Sequence, residues 1–270
     1  MATKGKTTAL VTWQEELAKQ AEIASKMEES AGGGQFFSTR GGILTWQDAP
    51  MPDNQMAVII VDSVLENVFY EGRYDPDQPQ SPTCFAFGRD EKTIKPHDVV
   101  VEAGTAQHES CAGCPHNEWG SADTGRGKAC RNTRRLAMIP AGTFDKLGKL
   151  QLIDDPDHFK STIVGFMKLP VTSVKGYANF VKQVANALHR PPFGIVTKVR
   201  VVPDASTQFK VLFEPLTEVP DELMPAVLER HNEVKSVIDF PYRASDEEQP
   251  KRGSRAANQS AAKGRAARKY

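Results

Sequence analysis

The chain has no long apolar run. No stretch approaches the roughly 18 apolar residues needed to cross a bilayer, and the longest, Met56 to Val61, is strand-length. A membrane-spanning helix is therefore not expected. An excess of charge is also missing: 34 basic residues face 34 acidic ones. That balance excludes little, because what matters for a polyanion partner is where the charges sit. Met1 to Ala9 is polar and has no apolar core of a secretory leader. A cytoplasmic setting is expected, that of the host cell if the chain is viral. Cysteine is scarce: the chain has four, all between 84 and 130. In a reducing compartment disulfides are not expected, and a clustered set of thiols points to a metal. No internal repeat of fixed period is visible.

What is present suits a globular domain with appendages. Of 270 residues, 39% are hydrophobic, and 13 Phe, 5 Tyr and 3 Trp argue against wholesale disorder. Residues 1–35 read as a flexible or helical extension: Trp13, Leu17 and Ala21 share a helical face, and Ser30 to Gly34 form a linker. From Phe36 onward β-branched and aromatic segments alternate with turn signals. Met56–Val61 predicts a strand covered on both faces, followed by Val64–Tyr70. Ile163–Met167 is a further candidate. Ile195–Val202 and Phe209–Phe213 alternate as two strands of a hairpin around Pro203–Thr207. Ser173 is placed to cap a helix with the stripe Tyr177, Phe180, Val181, Val184 and Leu188. A second helix is expected over roughly 221–237, with Leu223, Val227, Val234 and Ile238 inward. From Gln249 the chain carries seven Lys/Arg and no acid, so 241–270 reads as a disordered basic tail.

Cys111-Ala112-Gly113-Cys114 is a C-x-x-C knuckle, whose tight turn lets two thiolates face one ion. Cys130 lies 16 positions after Cys114, and Cys84 lies 27 before Cys111. Four thiolates complete the tetrahedral shell of Zn2+, so Cys84, Cys111, Cys114 and Cys130 are the expected ligands of a structural zinc. Other readings use the same residues. His108 or His116 is within reach to replace Cys84, an iron–sulfur cluster also takes four thiolates, and a redox C-x-x-C would expect a thioredoxin-like βαβ context. A catalytic zinc would need an open position and an acid or base, for which Glu102, Glu109 and Glu118 are near in sequence. The deaminase pattern is not met, because Ser110 precedes Cys111 and no H-x-E occurs upstream. No catalytic residue is assigned and no enzymatic activity is expected.

After the knuckle, Arg126, Lys128, Arg131, Arg134 and Arg135 fall within ten residues, with Trp119 close by and Gly125 and Gly127 between. Gly125-Arg126-Gly127-Lys128 lacks the glycine spacing and the Ser/Thr of a phosphate-cradling P-loop. Cations with aromatics suit a single-strand surface. The plain alternative is a solvated loop that keeps the knuckle soluble. Lys198 and Arg200 share one strand face and could extend a phosphate track.

A series of segments carries a resemblance. It comprises Arg40-Gly41-Gly42-Ile43-Leu44, the strand through Val61, Glu66-Asn67-Val68-Phe69-Tyr70, Pro82-Thr83-Cys84-Phe85-Ala86, Cys111 through Ser121, Gly125-Arg126-Gly127-Lys128-Ala129-Cys130 and Leu169-Pro170-Val171-Thr172-Ser173. Their succession resembles that of zinc-containing single-stranded-DNA-binding-type proteins of tailed-phage replication modules, over roughly residues 36–215. The cysteine segment is its specific part. The resemblance implies an OB-like barrel bearing a zinc-bound insertion, and single-stranded DNA binding in phage replication or recombination. Such proteins often end in an acidic tail that recruits partners. Here Asp246-Glu247-Glu248 gives way to a basic end, which speaks against recruitment by the tail and for added DNA affinity.

The expectation is thus a mainly β (α+β) domain over 36–240, an OB-like barrel with a zinc insertion at 84–135 and a few flanking helices. Expected phosphate contacts are Arg126, Lys128, Arg131, Arg134, Lys198 and Arg200. Expected stacking residues are Trp119, Tyr70 and Tyr177. The expected partner is single-stranded nucleic acid, DNA first, with replication proteins besides. The alternative function is a zinc-ribbon adaptor that docks on a polymerase or another replication or transcription protein.

Overall fold

The computed structural model describes residues 36–72, 81–123 and 125–242. The expected extension 1–35 with its helix, and the tail from 243 onward, lie outside the described residues. The strands in chain order are β1 (Phe37–Ser38), β2 (Thr45–Trp46), β3 (Ala49–Pro50), β4 (Gln55–Phe69), β5 (Cys84–Gly88), β6 (Arg131–Phe144), β7 (Leu150–Leu152), β8 (Gly165–Leu169), β9 (Ile195–Asp204) and β10 (Gln208–Glu218). The α-helices are α1 (Asp98–Glu102), α2 (Pro156–Ser161), α3 (Val171–Leu188) and α4 (Met224–Lys235).

The two apolar runs 56–61 and 64–70 are parts of one strand, β4. β6 pairs with it antiparallel from Ala57 opposite Gly142 to Val68 opposite Arg131. A register shift between Ile60 and Asp62 changes the parity of the faces. Ala57, Ile59 and Val61, and then Val64 beyond the shift, therefore enter one core, while Val58 and Ile60 enter the other. A continuous apolar run is what a strand covered on both sides needs. Pro140 is tolerated inside β6 because it sits at the other register shift, opposite Val58.

On its other side β4 is shared. Its first third (55–59) pairs with β9 and its last (65–69) with β5. β6 is divided likewise between β8 and β7. The hairpin β9–β10 forms as expected around 203–208. Every pairing between these strands is antiparallel. The result is an open seven-stranded sheet, and β10 and β7 do not join to close a barrel among the described residues. The mainly β, α+β class is observed. Closure is not, because helices cover both faces where a barrel would curl the sheet onto itself.

α3 lies on one face with Tyr177, Phe180 and Val184 buried, beside Phe37 and Trp46 of the small β1–β3 sheet. α4 lies on the other, where Leu223, Val227, Val234 and Ile238 are buried as expected. Ser173 is not the cap of α3, which begins at Val171 after Pro170. Its buried hydroxyl accepts from the Val211 amide (2.9 Å) and ties the helix to β10. Ordered packing also runs past the expected boundary at 240, since Tyr242 packs on Phe85 and Phe87.

Candidate metal centre and nucleic-acid interface

The long β4–β6 ribbon brings distant cysteines to one end of the sheet. Cys84 opens β5 opposite Phe69. Cys130 immediately precedes Arg131, which stands opposite Val68. The knuckle is brought in between them by backbone bonds: Cys111 N–H donates to Ile94 O (3.1 Å), and Cys130 N–H donates to His116 O (2.7 Å). Asn117 holds the turn, with its amide N–H on Cys114 O (2.9 Å) and its side chain on Cys111 O (2.7 Å). All four thiols line one cavity floored by Asn67 and Phe69. Cys111, Cys114 and Cys130 are buried, Cys84 is half-buried, and all four are free thiols.

Burial pushes the Cys84 and Cys111 thiols up. It pushes Cys130 up to about 12, helped by the charges of Cys111, Cys114 and Cys84. Crowded sulfurs that repel as anions want a shared cation. Among the described residues no three Cys, His, Asp or Glu side chains stand ready-formed around an ion. The four thiols share a cavity wall. In number and type, four sulfurs fit a soft tetrahedral ion.

The two imidazoles that could replace Cys84 line the same cavity. Each is engaged elsewhere. The His116 ring stacks on Phe69 (centroids 4.2 Å apart), and His108 Nδ1 meets the backbone of Ser110. The βαβ context that a redox knuckle would expect is not formed by this antiparallel sheet. Glu102, Glu109 and Glu118 are exposed and do not line the cavity.

The knuckle leads into a short closed loop. Gly120 and Ala122 amides both donate to Gly127 O (2.9 and 3.2 Å), and Ser121 Oγ bridges His116 O, Glu118 O and the Ala129 amide. Trp119 stands on it 80% exposed. Lys128 Nζ lies 5.7 Å from its ring centre and donates to Asn117 Oδ1 (3.2 Å). Arg126 is exposed at the loop's tip.

The other expected contacts fall into separate places. Arg131, exposed, lies over Tyr70 (5.8 Å). Lys198 and Arg200 both pair with Glu214 (2.8 and 2.9 Å). They sit near Ala57 and Gln55, roughly 35–45 Å along β4 from Arg131 at about 3.3 Å per residue. The face between is the core under α4, so one continuous phosphate track along the sheet does not form. Arg134 is half-buried on the opposite face. Tyr177 is not available for stacking: it is 2% exposed in the α3 core, and burial pushes its phenol up to about 12. Its i, i+3, i+7 spacing with Phe180 and Val184 is a core stripe, which leaves no ring face for a base.

Sequence reasoning missed a polar cluster on the α4 face. Arg135 is buried and pairs with the fully buried Glu66 (3.1 Å). Its guanidinium lies 4.1 Å from the ring centres of both Phe87 and Phe240 and donates to Ile238 O and Phe240 O (3.1 and 2.6 Å). Tyr242 donates to Glu66 Oε1, and Lys168 donates to Tyr242 Oη (2.9 Å). A signal existed: Lys168 is the one charge in β8, and Glu66 is one of two in the long apolar β4. Their partners lie 69 and 74 residues away in the chain. Compared with protein-family models, with curated proteins and with solved structures, the chain matches none.

Proposed function

We propose that this protein binds single-stranded nucleic acid, DNA first, in phage DNA replication or recombination, with Zn2+ held by Cys84, Cys111, Cys114 and Cys130. The observation that carries the reading is the loop after the knuckle. It presents an 80% exposed Trp119 beside Lys128 and Arg126, and its base is built from the four-thiol cavity. An exposed indole beside cations is the arrangement on which a base can stack. A bound zinc would cross-link β5, the knuckle and the start of β6, a contribution of order 10 kcal/mol in small metal domains. In the proposed mechanism Trp119 stacks a base, while Arg126, Lys128 and Arg131 neutralise phosphates. No bond is made or broken. OB folds are partly open barrels, and the open sheet on one shared long strand is compatible with that ancestry, for which the resemblance is the support.

The test is metal analysis of the purified chain together with titration of its tryptophan fluorescence by oligothymidylate at rising salt. One zinc per chain is expected, with quenching and a log–log salt slope of roughly −0.7 per neutralised phosphate. Trp119→Ala should weaken binding by about 1–3 kcal/mol, the worth of one stacked base. Binding that ignores salt, or no binding at all, sinks the reading. Trp119 also favours a second one, docking on a replication protein, since exposed tryptophans anchor interfaces. A partner retained after nuclease treatment, with no gel shift, would select it.

A further inference from the structure

Arg131 and Lys168 face the same aromatic ring from different strands. Arg131 Cζ is 5.8 Å and Lys168 Nζ 5.7 Å from the centre of Tyr70. Lys168 Nζ is also 5.1 Å from the ring centre of Tyr242, whose hydroxyl accepts a hydrogen bond from it at 2.9 Å. The strand register explains the meeting. Val68 stands opposite Arg131, and Lys168 stands opposite Arg135 on the neighbouring β8. Residues 131 and 135 share a face, so Lys168 joins them there.

The charges at this spot do not balance. Arg135 is matched by Glu66. Among the described residues, no carboxylate comes within ion-pairing distance of Arg131 or Lys168. Burial lowers the Lys168 pKa; Glu66 opposes this, and the neighbouring Arg131 and Arg135 add to it. Two held cations crowded against a third, with one buried carboxylate between three, leave a local positive excess. Tyr70 and Tyr242 hold the ammonium in place, so little side-chain freedom is lost when an anion binds.

We propose that Arg131 and Lys168, braced by Tyr70 and Tyr242, form a phosphate-binding site on the α4 face of the sheet. A planar guanidinium and a compact ammonium suit a tetrahedral oxyanion. The identity of its natural ligand, a backbone phosphate of a single strand, rests on the function proposed above. The site itself does not, and a free phosphate is the other source of the same chemistry.

The test uses the full chain with its metal. Lys168→Met, Lys168→Arg and, as a control for general charge loss, Lys182→Met on exposed α3 are compared with the parent. Anisotropy titration with oligothymidylate is run across a salt series, and thermal shift with inorganic pyrophosphate is run beside it. Lys168→Met should bind several-fold more weakly, with the salt slope shallower by about 0.7. Lys168→Arg should restore the slope and Lys182→Met should leave it unchanged. If the parent binds the oligonucleotide and Lys168→Met matches it in affinity and slope, the site is refuted while single-strand binding stands. If the parent ignores the oligonucleotide but pyrophosphate stabilises it, and Lys168→Met abolishes that shift, the site stands and single-strand binding falls. Neither ligand acting on the parent overturns the site. Loss of both responses in Lys168→Met counts for the site only where Lys168→Arg recovers them.

Discussion

Replacing Arg135 by methionine probes the buried polar cluster directly. The guanidinium is 5% exposed and its partner Glu66 is fully buried. Glu66 Oε2 has no hydrogen-bond partner among the described residues. Without Arg135, that carboxylate keeps only the Tyr242 hydroxyl. Methionine replaces much of the stem's packing between Phe87 and Phe240 but neither the charge nor the donors. Two carbonyls, of Ile238 and Phe240, also lose their donor. Breaking a buried pair by removing one member typically costs about 3–5 kcal/mol. At about 1.4 kcal/mol per factor of ten, that is two to three and a half orders of magnitude in the folding equilibrium. A domain holding about 5–15 kcal/mol in all would be left marginal. The assay is equilibrium denaturation of the parent, Arg135→Met, Glu66→Gln and the double variant. The double variant removes the stranded charge and should recover at least half of the loss, because most of it is the desolvated carboxylate. A single-variant loss below about 1 kcal/mol, or a double variant no better than Arg135→Met, would refute the reasoning.

Three further outcomes are expected. Cys130→Ala should lose the proposed zinc and change the Trp119 emission while far-UV dichroism of the sheet persists; full zinc retention in the variant would exclude Cys130 from the ligand set. Gly165→Ala should lower stability by about 1–3 kcal/mol in thermal unfolding, because an added Cβ would run into the stacked rings of Phe37 and Trp46. The β9–β10 hairpin should weaken in acid. Asp204 is held below its ordinary value by Lys210, Ser206 and Thr207, and Glu214 by Lys198 and then Arg200. A depressed folded value means this support is present above the ordinary values of 3.8 and 4.5 and is lost as pH falls below them. Asp204→Asn should flatten that acid limb, and an unchanged limb would count against it.

Local pattern carried much of this protein. Alternation in 195–202 and 209–213 specified a hairpin, because a strand with one wet and one dry face writes its register into the sequence. The stripe of Leu223, Val227, Val234 and Ile238 specified α4 for the same reason at helical period. The four cysteines announced a common site through their clustering in one segment, and all four line one cavity. Four things were decided only in three dimensions. The register shift at 60–62 joins two apolar runs into one long strand, and no residue type marks it. Coverage by α3 and α4 leaves the sheet open, since closure depends on what packs on the faces. That same packing takes Tyr177 out of reach, while the β9–β10 register sets Glu214 opposite Lys198 and beside Arg200. The meeting of Glu66, Arg135, Lys168 and Tyr242 belongs here too, because partners 69 to 176 residues apart along the chain leave no local periodicity to read. Charge pairing acts through space, and the sheet register sets which charges become neighbours.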